Sequence, residues 1–124
     1  CPISKDQLLQ VIASLVRGNI PRLPGHPVCV DCKQKGNACV IIRDKIPCMG
    51  PVTRTGCGAL CPTYGRGCYG CFGPSDDPQL EAFGNMMSDL GLSSDQMVLE
   101  YSKFNVNAVS FQKGIAKCLD SQNT

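Results

Sequence analysis

The chain has 124 residues, enough for one modest domain, and ten of them are cysteine, a density that calls for disulfides, structural zinc or iron–sulfur clusters. The absence of tryptophan and an aromatic content of 6% exclude a large aromatic core, and no apolar run approaches the ~20 residues of a membrane span. The net charge of +2 is unevenly spread: residues 1–73 carry nine Lys/Arg against three Asp/Glu, and residues 74–124 carry three against seven. The basic part lacks the aromatic interleaving or basic helix of a nucleic-acid surface. It does contain most of the cysteines, whose metal-bound thiolates would be anionic, so Arg43, Lys45, Arg54 and Arg66 are candidates for charge compensation.

The chain opens on Cys1-Pro2, which indicates processing or a start within a longer protein. A lipoprotein would follow its cysteine with a polar tether, whereas here a helix follows. Over residues 4–17, Leu8, Leu9, Val11, Ile12, Leu15 and Val16 keep helical spacing. Ser4 with Gln7 forms a capping-box pattern, and Gly18 suits the stop. Pro21, Pro24 and Pro27 then mark an extended connector.

Residues 29–73 hold eight cysteines: Cys29, Cys32, Cys39, Cys48, Cys57, Cys61, Cys68 and Cys71. Glycines crowd the second half, Cys39-Val40-Ile41-Ile42 reads as a short strand, and the remainder reads as turn and loop. Such a segment buries too little apolar surface to hold itself and needs cross-links. A C-x-x-C pair stands at each end, letting two neighbouring thiolates reach one metal centre, and eight ligands divide into two fours. Glycines beside ligands let backbone N–H groups approach sulfur. The spacing favours clusters and leaves disulfides and zinc open. An even cysteine count fits disulfides, and paired C-x-x-C motifs occur in zinc sites.

Residues 76–124 are acidic and helical. Asp76 or Asp77 would cap a helix with Pro78 at its first position, Leu80, Phe83, Met87 and Leu90 on one face, and Gly91 at its end. Ser93 with Gln96 offers a second capping box before Met97, Tyr101 and Phe104, and a short third helix carries Phe111, Ile115 and Leu119. These Met and aromatic positions read as packing. Cys118 reads as a buried, inert helix-face cysteine. His26 stands three residues before Cys29 and reads as a neighbour of the site in preference to a ligand.

The run Pro47-Cys48-Met49-Gly50-Pro51-Val52-Thr53-Arg54-Thr55-Gly56-Cys57-Gly58-Ala59-Leu60-Cys61-Pro62 closely resembles the small subunit of nickel–iron hydrogenases, in their cytosolic, NAD(P)-linked or sulfhydrogenase branch. Pro27-Val28-Cys29-Val30-Asp31-Cys32 and Cys68-Tyr69-Gly70-Cys71 match the same pattern in order and spacing. Cys1-Pro2 before an amphipathic helix is similar too, and is shared with the cluster-bearing subunit of respiratory complex I. The resemblance is strong through residue 73 and loose in the tail.

The resemblance implies that Cys29, Cys32, Cys39 and Cys48 hold a distal [4Fe–4S] cluster, with Cys29 where many membrane-bound relatives have His. It implies that Cys57, Cys68 and Cys71 hold a medial cluster. That centre has three irons in some relatives; Cys61 here adds a fourth thiolate, so [4Fe–4S] is expected. Cys1 would be the last ligand of a third, proximal [4Fe–4S] cluster, whose other ligands come from a flavodoxin-like domain preceding this point. Three segments follow: an amphipathic helix and Pro-rich connector (1–25), a two-cluster region (26–75) and a helical tail (76–124). The expected fold is mainly α with little β, its irregular middle built around the clusters. The implied function is electron relay in the cytoplasm, between a nickel–iron catalytic large subunit and a flavin/NAD(P) or iron–sulfur subunit, with no bond chemistry on this chain. A free ferredoxin-like carrier and a zinc-bound interaction module are the alternatives.

Overall fold

The computed structural model describes residues 3–123. Helix α1 spans Lys5–Val16, with Ser4 Oγ accepting the Gln7 N–H at 3.4 Å and Gly18 taking φ +72° just beyond its end. Its half-buried stripe is Ser4, Gln7, Val11 and Ser14, while Leu8, Leu9, Ile12, Leu15 and Val16 are exposed. The apolar stripe that marks the helix in the sequence therefore faces outward.

The cysteine region is more helical than its glycines suggest. Helix α2 (Val28–Gln34), helix α3 (Val40–Asp44), a 3₁₀ turn (Gly50–Val52) and helix α4 (Leu60–Thr63) punctuate it. The strand expected at Cys39–Ile42 is instead the start of α3. So short an apolar run has no period that separates strand from helix, and no neighbouring segment offers it a ladder. Its carbonyls are satisfied locally instead: Arg43 N–H donates to Cys39 O at 2.8 Å and Ile46 N–H to Val40 O at 3.2 Å. Adjacent Val40 and Ile41 are buried while Ile42 is 74% exposed, a helical distribution.

Two isolated antiparallel bridges, Pro27 with Arg54 and Thr53 with Pro74, tie three extended runs side by side. Val28 N–H donates to Thr53 O at 2.9 Å, Arg54 N–H to Gly73 O at 2.8 Å and Ser75 N–H to Val52 O at 2.9 Å. The two ends of the cysteine region are thereby clamped to its middle.

The tail forms α5 (Leu80–Asp89), α6 (Ser94–Ser102) and α7 (Val109–Gln122). Helix α5 starts two residues later than expected. Gln79 is its N-cap residue, and Pro78 lies outside with its carbonyl accepting from Leu80 N–H at 3.0 Å. The Ser93/Gln96 capping box is complete, with both reciprocal hydrogen bonds formed. Helix α7 runs 14 residues, longer than the short helix expected. Phe83, Tyr101 and Phe111 build the tail's centre, with ring centroids 5.8 and 5.6 Å apart along the series. The buried core is continuous from Val28, Met49 and Val52 to these rings and Cys118.

Candidate metal centre

Cys29 and Cys32 sit on α2, three positions apart and so on one face of one turn. Cys39 is the N-cap residue of α3, and Cys48 lies just before the 3₁₀ turn. These elements bring Cys29, Cys32, Cys39 and Cys48 around one small cavity walled by Val28, Val40 and Ile41. A Cβ on Gly50 would stand 3.3 Å from both the Cys29 and the Cys48 sulfur, so glycine lets the backbone lie against the thiols. Burial pushes the Cys29 thiol up to about 12, with Cys48, Cys39 and Cys32 adding to the rise and Lys33 opposing it. Burial likewise raises the Cys48 thiol against the opposing N–H donors of Cys68 and Gly50.

The second group is built from turns. Gly58 and Ala59 take φ +65° and +55°, turning the chain between Cys57 and Cys61, which lies on α4. Gly70, at φ +78°, bends the chain between Cys68 and Cys71. Burial pushes the Cys68 thiol up to about 12, the Gly70 N–H opposes this, Cys48 adds to it, Thr53 opposes it and Cys57 adds again. The Cys71 thiol is raised first by burial and then by Cys68 and Cys57, with a smaller push from Cys61. Cys57, Cys61 and Cys68 thus all lie within electrostatic reach of Cys71. Cys1 lies outside the described residues.

This chemistry fits cluster ligation. A buried thiol raised this far ionises only against a cation, and backbone donors aimed at sulfur favour the thiolate. The Gly70 N–H meets Cys68 Sγ at 3.4 Å, and the Cys68 N–H meets Cys48 Sγ at 3.2 Å. Among the described residues, no group of three or more His, Cys, Asp or Glu side chains is gathered closely enough to hold a metal ion.

Other candidates fall into place around the two groups. His26 Nε2 lies 3.1 Å from Asp31 Oδ1, and Thr55 Oγ1 donates to the other Asp31 oxygen. The histidine thus braces the first C-x-x-C helix through its acid. Cys118 is buried on α7, away from both groups, and burial raises its thiol. Arg54 donates to Pro24 O at 3.1 Å and pairs with Asp76, while Arg43 pairs with its neighbour Asp44.

Three residues escape sequence reasoning. Thr53, only 1% exposed, donates to Met49 O at 2.7 Å, and its hydroxyl opposes the rise of the Cys68 thiol. Asn105, left-handed at φ +55°, donates to Gly70 O at 3.3 Å and Cys71 O at 2.9 Å. Gly67 lies where a Cβ would meet Pro47 O at 1.9 Å. None carries a periodic or spacing signal. The glycine crowding hints at close backbone approaches without saying where they occur.

No family model matches the chain. Curated relatives do. Over 90 residues the chain is 40% identical to the delta subunit of sulfhydrogenase 2 from Pyrococcus furiosus, covering 73% of this chain and 38% of that protein. It is 28% identical over 134 residues to the iron-sulfur subunit of the F420-non-reducing hydrogenase from Archaeoglobus profundus, covering 82% and 41%. A 31% identity over 93 residues links it to a subunit of the vhu F420-non-reducing hydrogenase from Methanocaldococcus jannaschii, covering 61% and 32%. The chain therefore spans well under half the length of each of these relatives.

Proposed function

Since the homologues of this chain are hydrogenase subunits, we propose that it is the cluster-bearing part of a nickel–iron hydrogenase small subunit and relays electrons through two [4Fe–4S] clusters. The supporting observation is the small cavity lined by Cys29, Cys32, Cys39 and Cys48, with N–H donors on the buried sulfurs of Cys48 and Cys68 and with Cys57, Cys61 and Cys68 all acting on the Cys71 thiol. Bound clusters would supply one-electron storage and transfer. Cys29, Cys32, Cys39 and Cys48 would hold one, and Cys57, Cys61, Cys68 and Cys71 the other. Cys1 would contribute the last thiolate to a third cluster completed by a flavodoxin-like domain.

The chain's own work in this reading is positional. Helix α2 presents two thiolates on one face, Gly50 keeps the backbone against two sulfurs, and Val28, Val40 and Ile41 give the first centre apolar walls. The N–H donors stabilise the added negative charge of a reduced cluster. The partners would be a hydrogenase large subunit that activates hydrogen and a flavin/NAD(P)-binding or iron–sulfur subunit that takes the electrons, in the cytoplasm. The outward apolar stripe of α1 supports burial against further protein. No described helix is long and apolar enough to cross a membrane.

Iron, sulfide and zinc per polypeptide, with EPR of the anaerobically purified and reduced chain, test the reading. About eight irons and eight sulfides with a two-centre spectrum are expected; stoichiometric zinc without sulfide would sink it. Cys32→Ala should remove one of the two EPR centres and leave the other. In the assembled complex it should cut transfer to the acceptor while hydrogen activation persists.

A further inference from the structure

The two cysteine groups share a seam. Cys48 belongs to one and Cys68 to the other, and the Cys68 N–H donates directly to Cys48 Sγ at 3.2 Å. Its own carbonyl is held from the same side, by the Met49 N–H at 2.9 Å. The two segments can close this far because residue 67 has no side chain. A Cβ there would stand 1.9 Å from Pro47 O and 3.0 Å from Pro47 C, both rigid backbone atoms. Cys48 and Cys68 are each only 6% exposed.

We propose that the Cys68 amide is the electronic link between the two clusters, and that Gly67 is the positioning residue that sets it. The proposal rests on the reading that both groups hold clusters. From Cys48 Sγ the route crosses one N–H···S hydrogen bond, then runs through N–Cα, Cα–Cβ and Cβ–Sγ of Cys68. The two ligand sulfurs are thus joined by covalent bonds and one hydrogen bond, with no open gap. One electron leaves one centre, oxidising it by one unit, and arrives at the other, reducing it by one unit. The amide keeps its proton throughout, so no proton is exchanged. The link also has a polarity. Its donor points at a sulfur of the Cys29, Cys32, Cys39 and Cys48 centre, so it stabilises extra negative charge there and makes that centre easier to reduce.

The test compares the parent chain with Gly67→Ala, both purified anaerobically and titrated with dithionite and mediators under EPR. Iron and sulfide counts first establish two centres in each, and Cys32→Ala identifies which signal belongs to which group. In Gly67→Ala the splitting from spin coupling between the reduced centres should shrink. The potential of the Cys29, Cys32, Cys39 and Cys48 centre should move negative while the other holds. Two intact centres with unchanged splitting and potentials would overturn the link and leave the cluster assignment standing. A parent chain without two centres would overturn both. Should Gly67→Ala fail to fold, the parent chain carrying an ester in place of the Cys68 amide, which removes the N–H of that hydrogen bond and keeps the thiol, decides. The potential of the centre identified through Cys32 should then move negative, and an unchanged potential would overturn the link.

Discussion

The cysteine region and the helical tail are held together in opposite ways. Between residues 26 and 75 the largest wholly buried side chains are Met49, Val28, Val52 and Thr53; in the tail they are Tyr101, Phe111 and Met87. The first region is organised by short helices, isolated bridges and converging thiols. The second is organised by rings packed edge-on and tilted between helices. A glycine-rich segment has little apolar area to bury and must find its stabilisation elsewhere, whereas an amphipathic helix needs only a partner face. The regions still meet. Phe111 Cε2 lies 3.7 Å from the place a Gly70 Cβ would take, and Asn105 holds the carbonyls of Gly70 and Cys71. The tail thus shapes the last turn of the second cysteine group.

Removing iron should separate the regions most sharply. A structural metal site contributes on the order of 10 kcal/mol to folding. Anaerobic chelation is therefore expected to strip hydrogen-exchange protection from the amides of Met49 and Cys68 and to leave α6 and α7 protected. Uniform loss along the chain would mean that the tail has no independent core. Phe111→Ala probes the other side. Truncating a fully buried ring costs about 3–5 kcal/mol, so the urea midpoint of the tail's helical signal should fall while the iron count holds.

Asn105→Ala tests the junction. It removes two hydrogen bonds to backbone carbonyls of the second cysteine group, at a cost of about 1–3 kcal/mol. The loss should appear as faster exchange around Cys71 and a perturbed signal from the second centre, with the first unmoved. The smallest effect is expected from Ser93→Ala, which breaks a capping box at the start of α6 and costs about 1 kcal/mol. Thermal unfolding of the tail should register it, and the EPR spectrum should not.

Much of this molecule could be read from the chain in order. The helix of residues 4–17, the Ser93/Gln96 cap and the helix around Phe111 are local patterns, set by spacing and by side chains three or four positions apart. The strand expected at Cys39 and the cap expected at Asp76 or Asp77 fail for one reason: short runs allow two local solutions, and distant packing chooses between them. Periodicity identified α1 without saying which of its faces turns inward.

The sequence by itself determined that a cysteine-rich, glycine-rich middle needs cross-linking, that its cysteines come in sets compatible with clusters, and that helices flank it. Those are matters of composition and short-range spacing. Only the tertiary structure decided that Thr53 reaches Cys68, that Asn105 reaches back to Gly70 and Cys71, and that Cys68 meets Cys48. These contacts join residues 15 to 35 positions apart. They depend on how closely two backbones can approach, which is settled where a single missing Cβ, at Gly67, lets one chain segment lie on another.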